Sequence, residues 1–297
     1  MRLPDVIGIG PPRTGSTWLY NALRDSVDMP ANAKDTHFFE RLGHKGIEWY
    51  ASHFRYATAD RPIVEICPAI FFRPHAREQI KLHIPKCKVI ATMRDPVDRI
   101  YSVYKLLRRF GWIGSGTLDQ TIEASPHFGG GNRYAPLLES WFEAFGRENV
   151  LVTIYDELRA EPQQYLNRVC DFIGVERVAL SPRPDLGNDV NSFARAPKHR
   201  RHARRATKVI NWLNSHQAYR VRTMLERAGV WEFFQGRGEL YPRLTPEQDE
   251  RLRERYRPEV EALEKLIAID LSAWKKPRAP RVLENSPPRP LQRLANG

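Results

Sequence analysis

A chain of 297 residues with 41% hydrophobic content has enough apolar side chain to bury a full core, which excludes a disordered chain. Its formal charge of +12 calls for an acidic partner, and nucleic acid, an anionic cofactor and an anionic substrate all satisfy it. Three widely spaced cysteines, Cys67, Cys87 and Cys170, exclude a disulfide framework and fit a reducing compartment, while the lack of a long apolar run argues against a signal peptide or membrane span, so a soluble, cytoplasmic protein is expected.

Short β-branched runs alternate with longer amphipathic stretches, the pattern of βα units on a mainly parallel sheet. Asp5–Gly10 reads as the first strand, and Ser16–Ser26 as a helix with Leu19, Ala22 and Leu23 on one face. Ile63–Cys67 and Lys88–Arg94 read as further strands, with a helical stretch over Arg73–His83 between them. Asp95 is a strong N-cap with Pro96 at the first helical position, and Val97, Ile100, Tyr104 and Leu107 then recur at helical spacing. Gly111–Gly131 reads as a loop-rich insert, Ala135–Phe145 as a helix, Val150–Tyr155 as a strand, and Glu161–Ile173 as a helix stopped by Gly174.

Beyond Ser181 the chain becomes poor in apolar residues, and Arg195–Lys208 carries seven lysines and arginines. Helices are expected over Ala206–Ala228 and Thr245–Asp270, and the proline-rich stretch from Lys275 onward should be disordered. The whole reads as a single α/β domain over residues 1–274 with a tail at 275–297: a P-loop-like three-layer fold with a central, mainly parallel sheet flanked by helices.

Between the first strand and first helix lies GPPRTGST, Gly10–Thr17. A glycine-bearing turn at a helix N-terminus exposes backbone N–H groups, and the helix dipole makes it an anion site. The hydroxyls of Thr14, Ser16 and Thr17 add donors, Gly15 permits close approach, and Arg13 adds charge. The spacing matches a triphosphate-binding loop except that the lysine position is Ser16, which weakens a kinase reading. A plain strand–helix turn capped by Ser or Thr would look the same in sequence. Arg94 ends a central strand, where ligands of open α/β sheets gather, and Ser102 follows eight residues on, so the two could grip a second phosphate. Alternatively Arg94 pairs with Asp95 or Asp98 and Ser102 is a buried polar residue.

The segments PPRTGSTWLYNAL, RDPVDRIYSVY and VLVTIYDELRAEPQQYLNRVCDFIGV resemble, in order, the three signature segments of the sulfotransferases that use 3′-phosphoadenosine 5′-phosphosulfate. KDTHFFE and VEICPAIFF are similar to segments of the branch that sulfates carbohydrates such as heparan. The resemblance implies that Arg13, Thr14, Gly15, Ser16 and Thr17 hold the 5′-phosphosulfate of that cofactor, and that Arg94 and Ser102 hold its 3′-phosphate. It further implies that Tyr155 packs near the adenine and that Arg195, in Asn188–Lys198, closes over the nucleotide. Asp35 is the implied general base, with His37 the second choice or its orienting partner. Three positions depart from the family pattern: Arg13 replaces a lysine, Asp35 a glutamate, and Ile66 a lysine.

The implied reaction is in-line, metal-independent transfer of a sulfuryl group to a hydroxyl or amine of a glycan or small-molecule acceptor, leaving adenosine 3′,5′-bisphosphate. Rival readings are a P-loop kinase and a nucleic-acid-binding protein. The basic run lacks interleaved aromatics and a surrounding nucleic-acid module, so no nucleic-acid partner is expected. Cys67, His75, His83 and Cys87 match no compact zinc spacing, and no metal site is expected.

Overall fold

The computed structural model describes residues 2–31, 33–124, 133–180, 186, 195–216, 218–235, 238–242 and 244–277. Four strands, β1 (Val6–Gly8), β2 (Val64–Ile66), β3 (Lys88–Met93) and β4 (Val150–Ile154), pair in parallel in the order β2-β1-β3-β4. Val6 stands opposite Val64 on one side and Lys88 on the other, and Val89 opposite Val150. Each strand stops short of the β-branched run that encodes it, since the chain turns away at the carboxyl edge to build loops. Pairing still reaches one residue past β1, where the Ile9 N–H donates to the Ile90 carbonyl at 2.8 Å.

Twelve helices are described: α1 (Ser16–Leu23), α2 (Ile47–Ala51), α3 (Pro74–His83), α4 (Pro96–Arg109), α5 (Leu118–Ala124), α6 (Tyr134–Phe145), α7 (Tyr155–Ala160), α8 (Pro162–Ile173), α9 (Arg200–Ser215), α10 (Tyr219–Arg227), α11 (Val230–Gln235) and α12 (Pro246–Ile267). Strand alternation sorts the core into two layers. Ile7, Val89 and Ala91 face Phe71, Trp141 of α6 and Leu263 of α12. Val6, Val64, Ile66 and Ile90 face Leu19 and Leu23 of α1 and Leu166 and Val169 of α8. The result is the three-layer, P-loop-like α/β architecture that the alternation of elements predicts.

Two expectations for the helices need correction. The supposed loop insert contains α5, whose Leu118 and Ile122 pack under α4 beside Tyr104. The single helix expected over Ala206–Ala228 is two, α9 and α10. At their junction the Ser215 hydroxyl donates to the Trp212 carbonyl at 2.8 Å, and His216 Nδ1 lies 2.9 Å from the same oxygen. Side chains that take up terminal carbonyls in this way compete with continuation of the helix. Moreover, α9 begins inside the basic run, because Ala203, Ala206 and Thr207 form a small buried stripe among its cations.

The strand order creates a reversal between β1 and β3: the chain leaves β1 toward β2 and leaves β3 toward β4. A crevice therefore opens at the carboxyl ends of β1 and β3, the usual ligand position of an open α/β sheet. Asp95 fixes the exit of β3. Its carboxylate caps α4 by accepting from Val97 N–H at 2.9 Å, and its other oxygen lies 3.0 Å from Arg253 Nη1 of α12. Arg253 also pairs with Asp249 at 2.7 Å and donates to the Trp274 carbonyl at 2.7 Å. Trp274 is itself buried, with its indole N–H donating to Asp156 at 2.7 Å. Packing thus extends through the last residue of the expected domain, while residues 278–297 of the expected tail lie outside the described residues.

Removing one partner of a buried pair strands the other charge, so Arg253→Met should lower the unfolding free energy by about 3–5 kcal/mol, read from urea denaturation. A loss below about 1 kcal/mol would mean that Asp95 and Asp249 are satisfied without Arg253.

Candidate active site

The turn after β1 is held by close backbone contact. A Cβ on Gly10 would stand 2.6 Å from the Thr92 nitrogen and 2.8 Å from its oxygen, so only glycine lets the turn lie against β3. Gly15 takes the left-handed region at φ 94° to start α1, and a Cβ there would meet Leu158 at 2.7 Å. Arg13 is also left-handed, at φ 78°, a cost for a non-glycine residue that the surrounding contacts must hold in place. Thr14 is buried, and its hydroxyl donates to the Pro11 carbonyl at 2.8 Å. Its side chain shapes the loop, contrary to the expectation of a hydroxyl donor for the ligand.

The left-handed turn carries the Arg13 side chain toward β3 and α4. Its Nε donates to Ser102 Oγ at 2.8 Å, and Arg94 Nη1 donates to the Arg13 carbonyl at 2.8 Å. Arg13, Arg94 and Ser102 are therefore brought together from two separate sequence motifs. Arg94 pairs with neither Asp95 nor Asp98, and its buried Nε has no hydrogen-bond partner among the described residues. The Arg94 guanidinium lies 4.4 Å from the centre of the Tyr155 ring, so the ring face that it covers serves Arg94.

The segment Lys34–Glu40 crosses beside the loop. Phe38 and Phe39 are buried and anchor it, Phe38 stacking on Tyr50 with ring centres 4.6 Å apart. Lys34 Nζ donates to Ser16 Oγ at 2.9 Å and reaches Thr17 Oγ1 at 3.4 Å. Asp35 Oδ1 accepts from the His37 N–H at 2.7 Å and lies 3.5 Å from His37 Nδ1. His37 Nδ1 is also 2.8 Å from Glu40 Oε2. Beneath them Glu65, wholly buried on β2, accepts from Thr36 N–H at 2.8 Å, Thr36 Oγ1 at 2.6 Å and Tyr50 Oη at 2.6 Å. Ile66 turns to the opposite face and packs in the α1–α8 layer, so a core contact stands where the family pattern has a lysine.

The cleft encloses about 190 Å³ and is lined by four cations, Arg13, Lys34, Arg94 and Arg159, with no carboxylate among its lining residues. Burial and the neighbouring Arg94 push Arg13 down to about 10. Burial likewise pushes Lys34 down to about 8, against the opposing pull of Asp35. Burial and repulsion from Asp35 push Glu65 up to about 7. Burial disfavours the charged form of His37, but Asp35 and Glu40 outweigh it and raise the imidazole above its ordinary range.

Sequence reasoning missed Lys34, Glu40, Glu65 and Arg159. Lys34 and Glu40 lie within KDTHFFE, but nothing in that string shows that its lysine reaches across to the Gly10–Thr17 turn. Arg195 is not among the cleft-lining residues. It forms an antiparallel bridge with Leu240 and donates to the Gly238 carbonyl at 3.2 Å, and the adjoining residues 188–194 lie outside the described residues. Among the described residues no three His, Cys, Asp or Glu side chains are grouped as a metal site requires, and no helix is long and apolar enough to cross a membrane.

A parallel sheet with a glycine turn, an arginine whose buried Nε has no hydrogen-bond partner among the described residues, and a cleft rimmed by cations at its switch point define a P-loop-like domain suited to an anionic ligand. Comparison with known proteins identifies which such domain. The family model of the sulfotransferase domain matches residues 3–266, and the chain belongs to that family. Mouse heparan sulfate glucosamine 3-O-sulfotransferase 3B1 is 30% identical over 189 residues, covering 60% of this chain and 47% of that protein. The bifunctional heparan sulfate N-deacetylase/N-sulfotransferase 1 of Caenorhabditis briggsae is 29% identical over 195 residues, 58% of this chain and 22% of that protein. The chain thus spans less than half the length of either relative. A sulfotransferase from Alicyclobacillus acidocaldarius shares the fold, with a TM-score of 0.66 at 20% identity over 93% of this chain and 100% of that one.

The raised Glu65 and His37 both favour the protonated folded state, so their contribution to stability is present at low pH and lost as pH rises. For Glu65 the window runs from its ordinary 4.5 to about 7. Unfolding free energy should fall across that window, and Glu65→Gln should flatten the fall; an unchanged slope would place the titrating group elsewhere.

Proposed function

We propose that this domain transfers a sulfuryl group from 3′-phosphoadenosine 5′-phosphosulfate to an acceptor hydroxyl or amine. The observation that carries the reading is the joining of Arg13, Arg94 and Ser102, with one buried Arg94 nitrogen left for a ligand, beside a helix N-terminus that offers a second anion site. Two anion-binding points at one switch crevice suit a nucleotide with phosphates at two separate positions. When bound, the donor supplies an activated sulfuryl group on a phosphate leaving group.

The residues present fit that donor. Ser16, Thr17 and the N–H groups at the start of α1, with the charge of Arg13 and Lys34, would hold its 5′ end, and Arg94 with Ser102 its 3′-phosphate. Fixed donors aimed at the oxygen where charge develops stabilise the transition state without reorganising. Asp35 would take the proton of the acceptor at its carboxylate. In support, the His37 backbone N–H donates to the Asp35 Oδ1 at 2.7 Å, and the imidazole, held by Glu40 at 2.8 Å, stands 3.5 Å from the same oxygen as a neighbouring charge. His37 is thus a positioning residue, held by its own left-handed backbone at φ 57°. The acceptor follows from the relatives, which are named for heparan sulfate and its glucosamine, so a saccharide hydroxyl or amine is the proposed class. A cytoplasmic location remains part of the same proposal.

Adenosine 3′,5′-bisphosphate should raise the melting temperature, and ATP with magnesium should not. Arg94→Ala should weaken the bisphosphate by about 10- to 100-fold in calorimetry, much more than it weakens adenosine 5′-monophosphate, which lacks the 3′-phosphate and feels only the loosened loop. Equal loss with both ligands, or stabilisation by ATP alone, would overturn the reading. With a saccharide panel and radiolabelled donor, Asp35→Asn should cut turnover by about 10²–10⁴.

A further inference from the structure

The basic run presents a face that the cleft does not use. In α9 the side chains of Ala203, Ala206, Thr207 and Leu213 are buried, and this side of the helix is pinned to the end of α4. The Thr207 hydroxyl donates to the Phe110 carbonyl at 3.3 Å, and Arg200 Nε donates to the Gly111 carbonyl at 3.2 Å. Arg201, Arg205, Lys208 and Trp212, spaced i, i+4, i+7 and i+11, share the opposite, outward face, and all four are exposed. Val209 stands beside them, 46% exposed, and Trp212 is 58% exposed. From Arg200 to Ser215 the helix contains no aspartate or glutamate. The side chains of Arg201, Arg205 and Lys208 enter no ion pair or hydrogen bond among the described residues.

The neighbouring helices add apolar surface. Val221 and Met224 of α10, one turn apart, and Phe233 of α11 are likewise exposed, and α9, α10 and α11 pack on one another. A merely solvated charge run has no use for a tryptophan and a valine in its stripe. We infer that the outward face of α9, with the exposed apolar residues of α10 and α11, docks the domain on an anionic lipid bilayer surface. Cations free of carboxylate partners meet the lipid phosphates, the indole of Trp212 sits at the level of the headgroups, and the valine and methionine side chains enter the acyl boundary. The long stems of arginine and lysine let their charges stay in water while the apolar residues go in.

Charge complementarity selects this occupant. A second copy of the chain would set Arg201, Arg205 and Lys208 against like charges, and residues 278–297 carry four arginines against one glutamate, so neither suits the face. A nucleic acid matches the cations but offers no apolar medium to Val209, Val221 and Met224. None of these residues lines the cleft, so docking is separable from ligand binding and independent of the sulfuryl-transfer reading. Docking through α9 also sets the cleft's orientation to the bilayer, because α9 is pinned to α4, whose Ser102 meets Arg13.

The experiment is co-sedimentation of the full chain with vesicles of phosphatidylcholine alone and of equal parts phosphatidylcholine and phosphatidylglycerol, with tryptophan emission recorded on the same samples. The protein should pellet with the anionic vesicles and not with the neutral ones, its emission should shift to the blue, and raised salt should release it. Arg201→Gln, Arg205→Gln and Lys208→Gln combined should weaken binding about 100-fold, at about 5-fold for each cation. Trp212→Ser should weaken it about 10-fold and remove most of the emission shift. Both variants should keep the wild-type melting temperature, since the substituted side chains are exposed. Sedimentation that does not depend on phosphatidylglycerol, a triple variant that pellets like the wild type, or a dimer that Trp212→Ser breaks overturns the assignment. Tighter binding to random duplex DNA or to an anionic polysaccharide than to the vesicles, without an emission shift, overturns it in favour of a polyanion face.

Discussion

The hydrogen bond from Arg94 to the Arg13 carbonyl fastens the first loop to the end of the central strand, and the rest of the site is arranged around it. That 2.8 Å contact needs the loop to lie directly on β3, which Gly10 alone allows, and it needs Arg13 in a left-handed backbone. Once the loop is so placed, Arg13 falls on Ser102, α1 begins with its N-terminus at the crevice, and the anion site is complete. The strain at Arg13 is local and is held by contacts from β3 and α4.

Charge is distributed unevenly around this point. Four cations line the cleft with no carboxylate among its lining residues, so their mutual repulsion and burial are offset in full only when an anion enters. Lowered values for Arg13 and Lys34 are the signature of that state. The acids stand just behind, as Asp35, Glu40 and Glu65; burial and Asp35 push Glu65 up to about 7, whereas the hydrogen bond from His37 holds Glu40 below its ordinary range. Cations pushed down at Arg13 and Lys34 thus stand beside a carboxyl pushed up at Glu65, an arrangement that clusters at functional clefts.

Local pattern explains how much was legible beforehand. The Asp95–Pro96 helix start, the glycine stop at Gly174 and the strand-turn-helix around GPPRTGST each depend on residues within a few positions of one another, and each formed as read. The break between α9 and α10 was hidden because Ser215 and His216 stop a helix without glycine or proline. The helical start of the basic run was hidden because composition masks a stripe of small residues within seven cations. Thr14 was misjudged because a hydroxyl in a phosphate-type loop can face the ligand or its own backbone, and only the fold of the turn chooses.

By itself the sequence determined an α/β order of elements, a glycine turn suited to an anion, and an arginine and serine spaced to meet one helix start. These are short-range properties, set by side-chain period and backbone permission. Only the tertiary structure decided that Lys34 would stand at Ser16, that Arg253 would neutralise Asp95, and that Arg13 would turn toward Ser102. Those contacts join elements whose nearness depends on the strand order β2-β1-β3-β4, and no local pattern of residues encodes the distance between them.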